Sequence, residues 1–387
     1  MELRAINKQD LLSSTPSEKL KIIQVMRAVA ALGVLLWHAA IFLGPEGQSL
    51  GTKLFHAPSV IGVDLFFLIC GFVIFLSSTK KVGGNTTIVS PITFLVKRLA
   101  RICPLYMLCT IVIFVIERSA ERQTGLLLLR SLSFLPVQNA DYPNIFSPTM
   151  TVGWSINYEV YFYLLFSVAL FCGLKFWRLL SIWAAAAILL PPLLAPELLS
   201  SLTLRSAIAA IVTSPLNLLF LAGIAIGMLY RCPAIRFPSP RLALLAVFIA
   251  PLPVLYQYLA NAGIAHGLSG VGTSLAFLLT IVVIADKTLH MRCGRLLGYL
   301  GDISYSIYLT HPIVMWGVMW ANERYAWGSP LQGWFCVGVT VLATVAVSSL
   351  TYRFIEMGLS VQIRDWALAY RTRRPQDVPL LVPRKAS

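Results

Sequence analysis

Acidic side chains are scarce in this chain: 16 Asp and Glu stand against 31 Lys and Arg among 387 residues, and charged residues total only 12%. Soluble domains carry about 25%, so a large water-exposed fold is excluded. Cysteines number seven, with neither a disulfide framework nor metal-ligand spacing. Six of them (Cys70, Cys103, Cys109, Cys172, Cys232 and Cys293) fall toward one side of the expected membrane and Cys336 toward the other. No internal repeat and no appended soluble domain is evident. The first twenty residues are polar, so a cleavable leader is not expected and the first apolar run serves as signal anchor.

What the chain has instead is apolar length, 57% by composition. Ten runs reach the length that crosses a bilayer, at about 25–43, 60–77, 102–117, 156–174, 177–195, 207–230, 242–260, 268–285, 303–320 and 333–353. The expected fold is therefore all-α: a polytopic integral membrane protein of about ten transmembrane helices. An even number places both termini on one side. With that side cytoplasmic, 25 lysines and arginines lie inside and six outside, as the positive-inside rule demands. The net charge of +15 is then mostly a topology device facing anionic lipid, and no basic soluble domain exists to hold nucleic acid. Three segments are expected: a polar stretch 1–20, one membrane domain 21–356, and a basic cytoplasmic tail 357–387.

Two connections are long. The inner one ends "SPITFLVKRLARICPLY", where Ser90 caps a helix with Pro91 in its first position. Apolar residues alternating there with Lys97, Arg98 and Arg101 predict an amphipathic interfacial helix before the third span. The outer connection, 118–153, is rich in Asn, Asp, Pro and aromatics.

Ionisable residues inside spans cost about 2.5–3.5 kcal/mol each to insert, which makes them functional candidates. The first span, "RAVAALGVLLWHA", places Arg27 and His38 eleven residues apart. At 100° per residue they share a face, roughly 16 Å apart along the axis. Arg27 falls at the inner mouth, where a guanidinium suits a phosphate or carboxylate. Asp64 in "IGVDLFFLICGF" is expected at the depth of His38, where a carboxylate would fix the imidazole tautomer. Glu159 in "GWSINYEVYFY" shares a face with Tyr163. Ser304 and Tyr305 begin the ninth span, His311 lies midway along it, and Arg353 and Glu356 are spaced for an i,i+3 ion pair. Snorkelling, capping and interhelical hydrogen bonding account for several of these residues without catalysis. A proton-coupled transporter of polar glycan precursors would also use intramembrane His, Asp and Glu, and the residues alone leave enzyme and transporter near parity.

The motifs break that parity. Arg27 with His38, "GVDLFFLICGF", "KRLARICPLY", "VGWSINYEVYFY", "LGDISYSIYLTHP" and "YRFIE" occur in order over about residues 20–356. Together they resemble the acyltransferase 3 family of integral membrane acyltransferases, especially bacterial exopolysaccharide and O-antigen O-acetyltransferases. Cys70 stands where the family usually has serine, and Ile156-Asn157 where a leucine-led version is commoner. The resemblance implies transfer of an acetyl or similar acyl group from cytoplasmic acyl-CoA, in the bacterial inner membrane, to a sugar hydroxyl of an exported or lipid-linked saccharide. It implies His38 as the catalytic residue, with Glu159 and Asp64 in support. Arg27, Arg98, Arg101, Ser304 and Tyr305 would bind acyl-CoA, and Trp154, Asn157 and Tyr158 the acceptor. The second-span motif adds Gly62 and Gly71. Acetyl-CoA enters as a substrate; no resident cofactor and no metal are implied.

Overall fold

The computed structural model describes residues 20–43, 57–82, 85–118, 124–138, 146–325 and 332–372. Residues 1–19 of the polar N-terminal stretch and 373–387 of the basic tail lie outside the described residues. Among those described, the protein is helical apart from one short hairpin.

In chain order the helices are α1 (Lys21–Ala39), α2 (Pro58–Ser78), α3 (Pro91–Arg118), α4 (Gly125–Leu132), α5 (Trp154–Leu170), α6 (Phe176–Ala184), α7 (Pro191–Leu194), α8 (Pro196–Arg205), α9 (Ala207–Thr213), α10 (Asn217–Arg231), α11 (Pro240–Ile249), α12 (Leu252–Ala260), α13 (Thr273–Leu289), α14 (Arg295–Asp302), α15 (Ser304–Tyr325), α16 (Gln332–Thr351) and α17 (Ser360–Thr372). The hairpin pairs β1 (Thr79–Val82) with β2 (Asn85–Ile88), antiparallel, between α2 and α3.

Each expected span falls on a helix or on consecutive helices. Among the described residues, eight helical stretches are long and apolar enough to cross a bilayer by length and composition. The other two expected spans fall on α5, of 17 residues, and α15, of 22. The first is short and the second polar, and these are helices that carry candidate site residues. Prolines explain the broken spans: Pro191, Pro196, Pro240 and Pro251 each sit in a helix's capping or opening position, where a missing N–H costs nothing.

The structure adds detail around the third and tenth spans. The interfacial helix and the third span are one continuous helix, α3, in which Ser90 Oγ accepts the Thr93 N–H at its start and Pro104 sits inside. Helical structure continues past residue 357. A π-helical segment, Tyr352–Leu359, carries the chain into α17, which packs along α3. Within that segment Arg353 is exposed and lies over the Phe354 ring, whereas Glu356 is buried.

The chain divides into two compact units, one of Met1–Leu76 with Pro215–Ser348, the other of Ser77–Ser214 with Ser349–Ser387. In the first, α1 packs on α14 and α15, and α10 and α11 pack on α13. Its helices approach to backbone contact at glycines. A Cβ on Gly71 would lie 2.1 Å from the Phe220 carbonyl oxygen, and one on Gly223 2.1 Å from that of Leu68. Only hydrogen at Cα permits that α2–α10 crossing, the close approach that small residues give membrane helices. Lys287 ties down the far end of α10 by donating to the carbonyls of Tyr230, Cys232 and Ile235, a cation satisfying orphan C=O groups.

In the second unit α5 runs antiparallel to α3. Gly153 sits against Tyr106, Tyr163 near Phe94, and Ser167 donates to the Pro91 carbonyl. Phe94, Phe162, Phe166 and Phe176 form the aromatic core of this unit.

Candidate active site

The first unit holds two histidines in contact. His38, near the end of α1, and His311, within α15, meet with His311 Nε2 3.3 Å from His38 Nδ1 and ring centroids 4.8 Å apart. His38 Nδ1 also lies 2.9 Å from the Val34 carbonyl, and His311 Nδ1 3.2 Å from the Ile307 carbonyl. Carbonyls only accept, so both rings are assigned their proton on Nδ1. His311 Nε2 then accepts a share of the His38 Nδ1–H. The consequence is a lone pair on His38 Nε2, the atom a general base needs, with no protein partner among the described residues. His311 is fully buried and His38 half-buried. Beside His311, Thr310 donates to the Ser306 carbonyl and shares a 2.9 Å hydrogen bond with Ser348 of α16, which fixes α15 laterally.

Arg27 and His38 lie on the single uninterrupted helix α1, as the spacing predicts, with Arg27 half-buried. Ser304 is fully buried at the start of α15 and its hydroxyl has no hydrogen-bond partner among the described residues, while Tyr305 is half-buried.

Asp64 takes a different partner from the one expected. It is the seventh residue of α2, fully buried, and therefore not a cap. One carboxylate oxygen accepts from His266 Nδ1 at 2.7 Å and the other from the Gly267 backbone N–H at 2.8 Å. The geometry of α2 explains the change. Gly62 and Phe66 face α1 and α15, against Ala30, Val34 and Tyr308. Asp64 is 200° from Gly62 around the helix and shares the side of Phe67 and Gly71, which meet Phe220 of α10. A carboxylate–imidazole pair forms, but on the face of α2 turned away from His38. His266 escaped sequence reasoning because it sits in the irregular run "NAGIAHG" between α12 and α13. Its only signal was being one of five histidines in the chain. Gly267 has φ +96, a backbone conformation that costs glycine little. There it lets His266 and the next N–H converge on one carboxylate.

The second unit joins Arg98 and Glu159 through Tyr163. The Arg98 guanidinium lies 5.6 Å from the Tyr163 ring centroid and 5.7 Å from that of Phe94, and it donates to Ser77 Oγ. The Tyr163 hydroxyl donates to Glu159. Glu159 is thus one tyrosine from the basic motif. Arg101, a turn further along α3, is exposed. Trp154, Asn157 and Tyr158 are buried in the first turns of α5, with Tyr158 edge-on to Trp154 and stacked on Phe146. Neither polar atom of the Asn157 amide has a partner among the described residues. A buried unpaired amide costs free energy that a bound polar group would offset.

A family model described as an acyltransferase domain matches residues 20–353. The "Exopolysaccharide production protein ExoZ" of Rhizobium meliloti (strain 1021) is 29% identical over 307 residues, which cover 77% of this chain and 88% of that protein. "Acyltransferase MdmB" of Streptomyces mycarofaciens is 26% identical over 370 residues, covering 83% and 87% respectively. "Protein 2 in picA locus" of Rhizobium radiobacter is 36% identical over 97 residues, a quarter of this chain. No solved structure matches.

Proposed function

The chain belongs to the acyltransferase family, its domain filling residues 20–353 of a multi-pass membrane protein, and from that premise we propose that it moves an acetyl or similar acyl group from cytoplasmic acyl-CoA to a sugar hydroxyl of an exported or lipid-linked glycan in the bacterial inner membrane. The observation that carries this reading is His38: an imidazole with Nε2 available as base, on one helix face with Arg27. Its base would take the proton of the sugar hydroxyl as the oxygen attacks the thioester carbonyl, and the C–S bond would break to release CoA.

Each unit offers guanidinium groups suited to the donor's phosphates, Arg27 in the first and Arg98 and Arg101 in the second. For the acceptor, the unpartnered Asn157 amide beside Trp154 and Tyr158 has the chemistry that binds sugars, an amide for hydroxyls and aromatic faces for C–H surfaces. The exopolysaccharide production named for the Rhizobium meliloti relative favours a polymeric glycan acceptor.

The test is transfer by purified protein in detergent, given acetyl-CoA and surface glycan from the native host. CoA release that requires glycan, and falls by 100-fold or more in folded His38→Ala, supports the proposal. Wild-type rates from that variant would refute the mechanism. Glycan movement across vesicles without CoA release would favour the transporter instead.

A further inference from the structure

A general base inside a membrane span is left holding a positive charge. In the proposed transfer His38 Nε2 takes the acceptor's hydroxyl proton as the oxygen bonds to the thioester carbonyl carbon. The C–S electron pair leaves on sulfur, and the imidazolium lasts until its proton passes to that thiolate. A cation there is costly unless something compensates it. Hydrolases with a histidine base set a carboxylate behind the ring for the task. His38 has none among the described residues. Its contacts are the Val34 carbonyl, His311 and Trp37, and the Asp64 carboxylate is committed to His266 and the Gly267 N–H.

The contact with Trp37 is the one the mechanism has not used. The indole and imidazole planes stand at 88° with ring centroids 4.7 Å apart. Residues adjacent in a helix leave the axis 100° apart and do not face each other, so these rings meet only because their rotamers turn toward one another. The imidazole is pinned by Val34 and His311 at Nδ1. The indole is not held by a core: Trp37 is 41% exposed, and His38 is the one ring it meets among the described residues. A tryptophan serving only the aromatic belt near the end of a span has no need of that contact. An aromatic face attracts a cation within about 6 Å of its centroid, indole most strongly.

We propose that Trp37 is a positioning residue for the transfer step, its indole face stabilising the imidazolium that His38 becomes, as a carboxylate does in hydrolase triads. This rests on the reading of His38 as the base. The charge exists only between proton uptake and release, so the stabilisation acts on the transition state and not on bound substrates. It belongs in kcat and leaves KM alone.

The test reads kcat and the KM for acetyl-CoA and for glycan in Trp37 variants. Trp37→Leu is expected to lower kcat about tenfold, the size of a partly desolvated cation–π contact, with both KM values unchanged. Trp37→Phe, which keeps a weaker aromatic face, should lose about threefold. A sharper series places tryptophan carrying one, two and three ring fluorines at position 37 alone, by nonsense suppression. Each fluorine withdraws electron density from the indole face and hardly alters its volume, so folding is preserved. A stepwise fall of kcat along the series supports the proposal. A kcat that stays flat or rises overturns it, as does a loss confined to the KM for glycan, which would make Trp37 a stacking platform for sugar. Folded His38→Ala at the wild-type rate refutes the base reading instead.

Discussion

Asp64 holds His266 from the opposite side of α2 to the His38–His311 pair, 2.7 Å from carboxylate to Nδ1, with the neighbouring Gly267 N–H on the second oxygen. The carboxylate is fully buried, and leaving a buried acceptor without its donor costs about 1–3 kcal/mol. Asp64 therefore anchors the run before α13. Asp64→Ala and His266→Ala are each expected to lower the thermal midpoint in detergent. The double variant should fall short of their sum by about 1–3 kcal/mol of coupling. Strict additivity in that cycle would show that the pair is not stabilising.

In the proposed mechanism His311 positions His38 rather than touching substrate. His311→Leu removes the acceptor for the His38 Nδ1–H and should lower kcat about tenfold with the KM for acetyl-CoA little changed. His311→Gln, whose amide oxygen can accept that hydrogen bond, should recover part of the loss. Equal damage from Leu and Gln, or a change in KM alone, would count against the positioning role.

Arg98 and Glu159 are joined through Tyr163, so disturbing the link should register on the donor. Arg98→Ala is expected to weaken CoA binding about tenfold or more while altering glycan binding less. Tyr163→Phe, which removes the hydroxyl bound to Glu159 and keeps the ring beneath Arg98, should be milder. Calorimetry with CoA and glycan separately checks the ranking, and the reverse order would remove Arg98 from the donor site.

The crossing of α2 and α10 depends on two glycines facing one another. Gly71→Ala or Gly223→Ala forces a methyl carbon into a backbone carbonyl oxygen, 2.1 Å away in either case. Overpacking of that kind costs about 3 kcal/mol, occasionally more. Reduced accumulation and a lower midpoint by fluorescence-detected size exclusion are expected. Gly125→Ala, where a Cβ would meet nothing within 4 Å, is the matched control and should behave as wild type.

Much of this protein is written in local chemistry. Apolar run length places the helices, because a backbone in hydrocarbon must satisfy its own hydrogen bonds. Helical spacing puts Arg27 and His38 on one face, and i+4 spacing brings Tyr163 to Glu159, since both relationships are internal to one helix. Partners between helices are another matter. That His38 meets His311, that Asp64 turns to His266, and that Gly301 meets the Gln24 backbone depend on which faces pack together. Those packings turn on backbone contacts at Gly62, Gly71 and Gly301. A residue's angle around its own helix follows from the sequence, but what lies across from it is decided by tertiary packing, which here runs through glycines that offer no side chain to read.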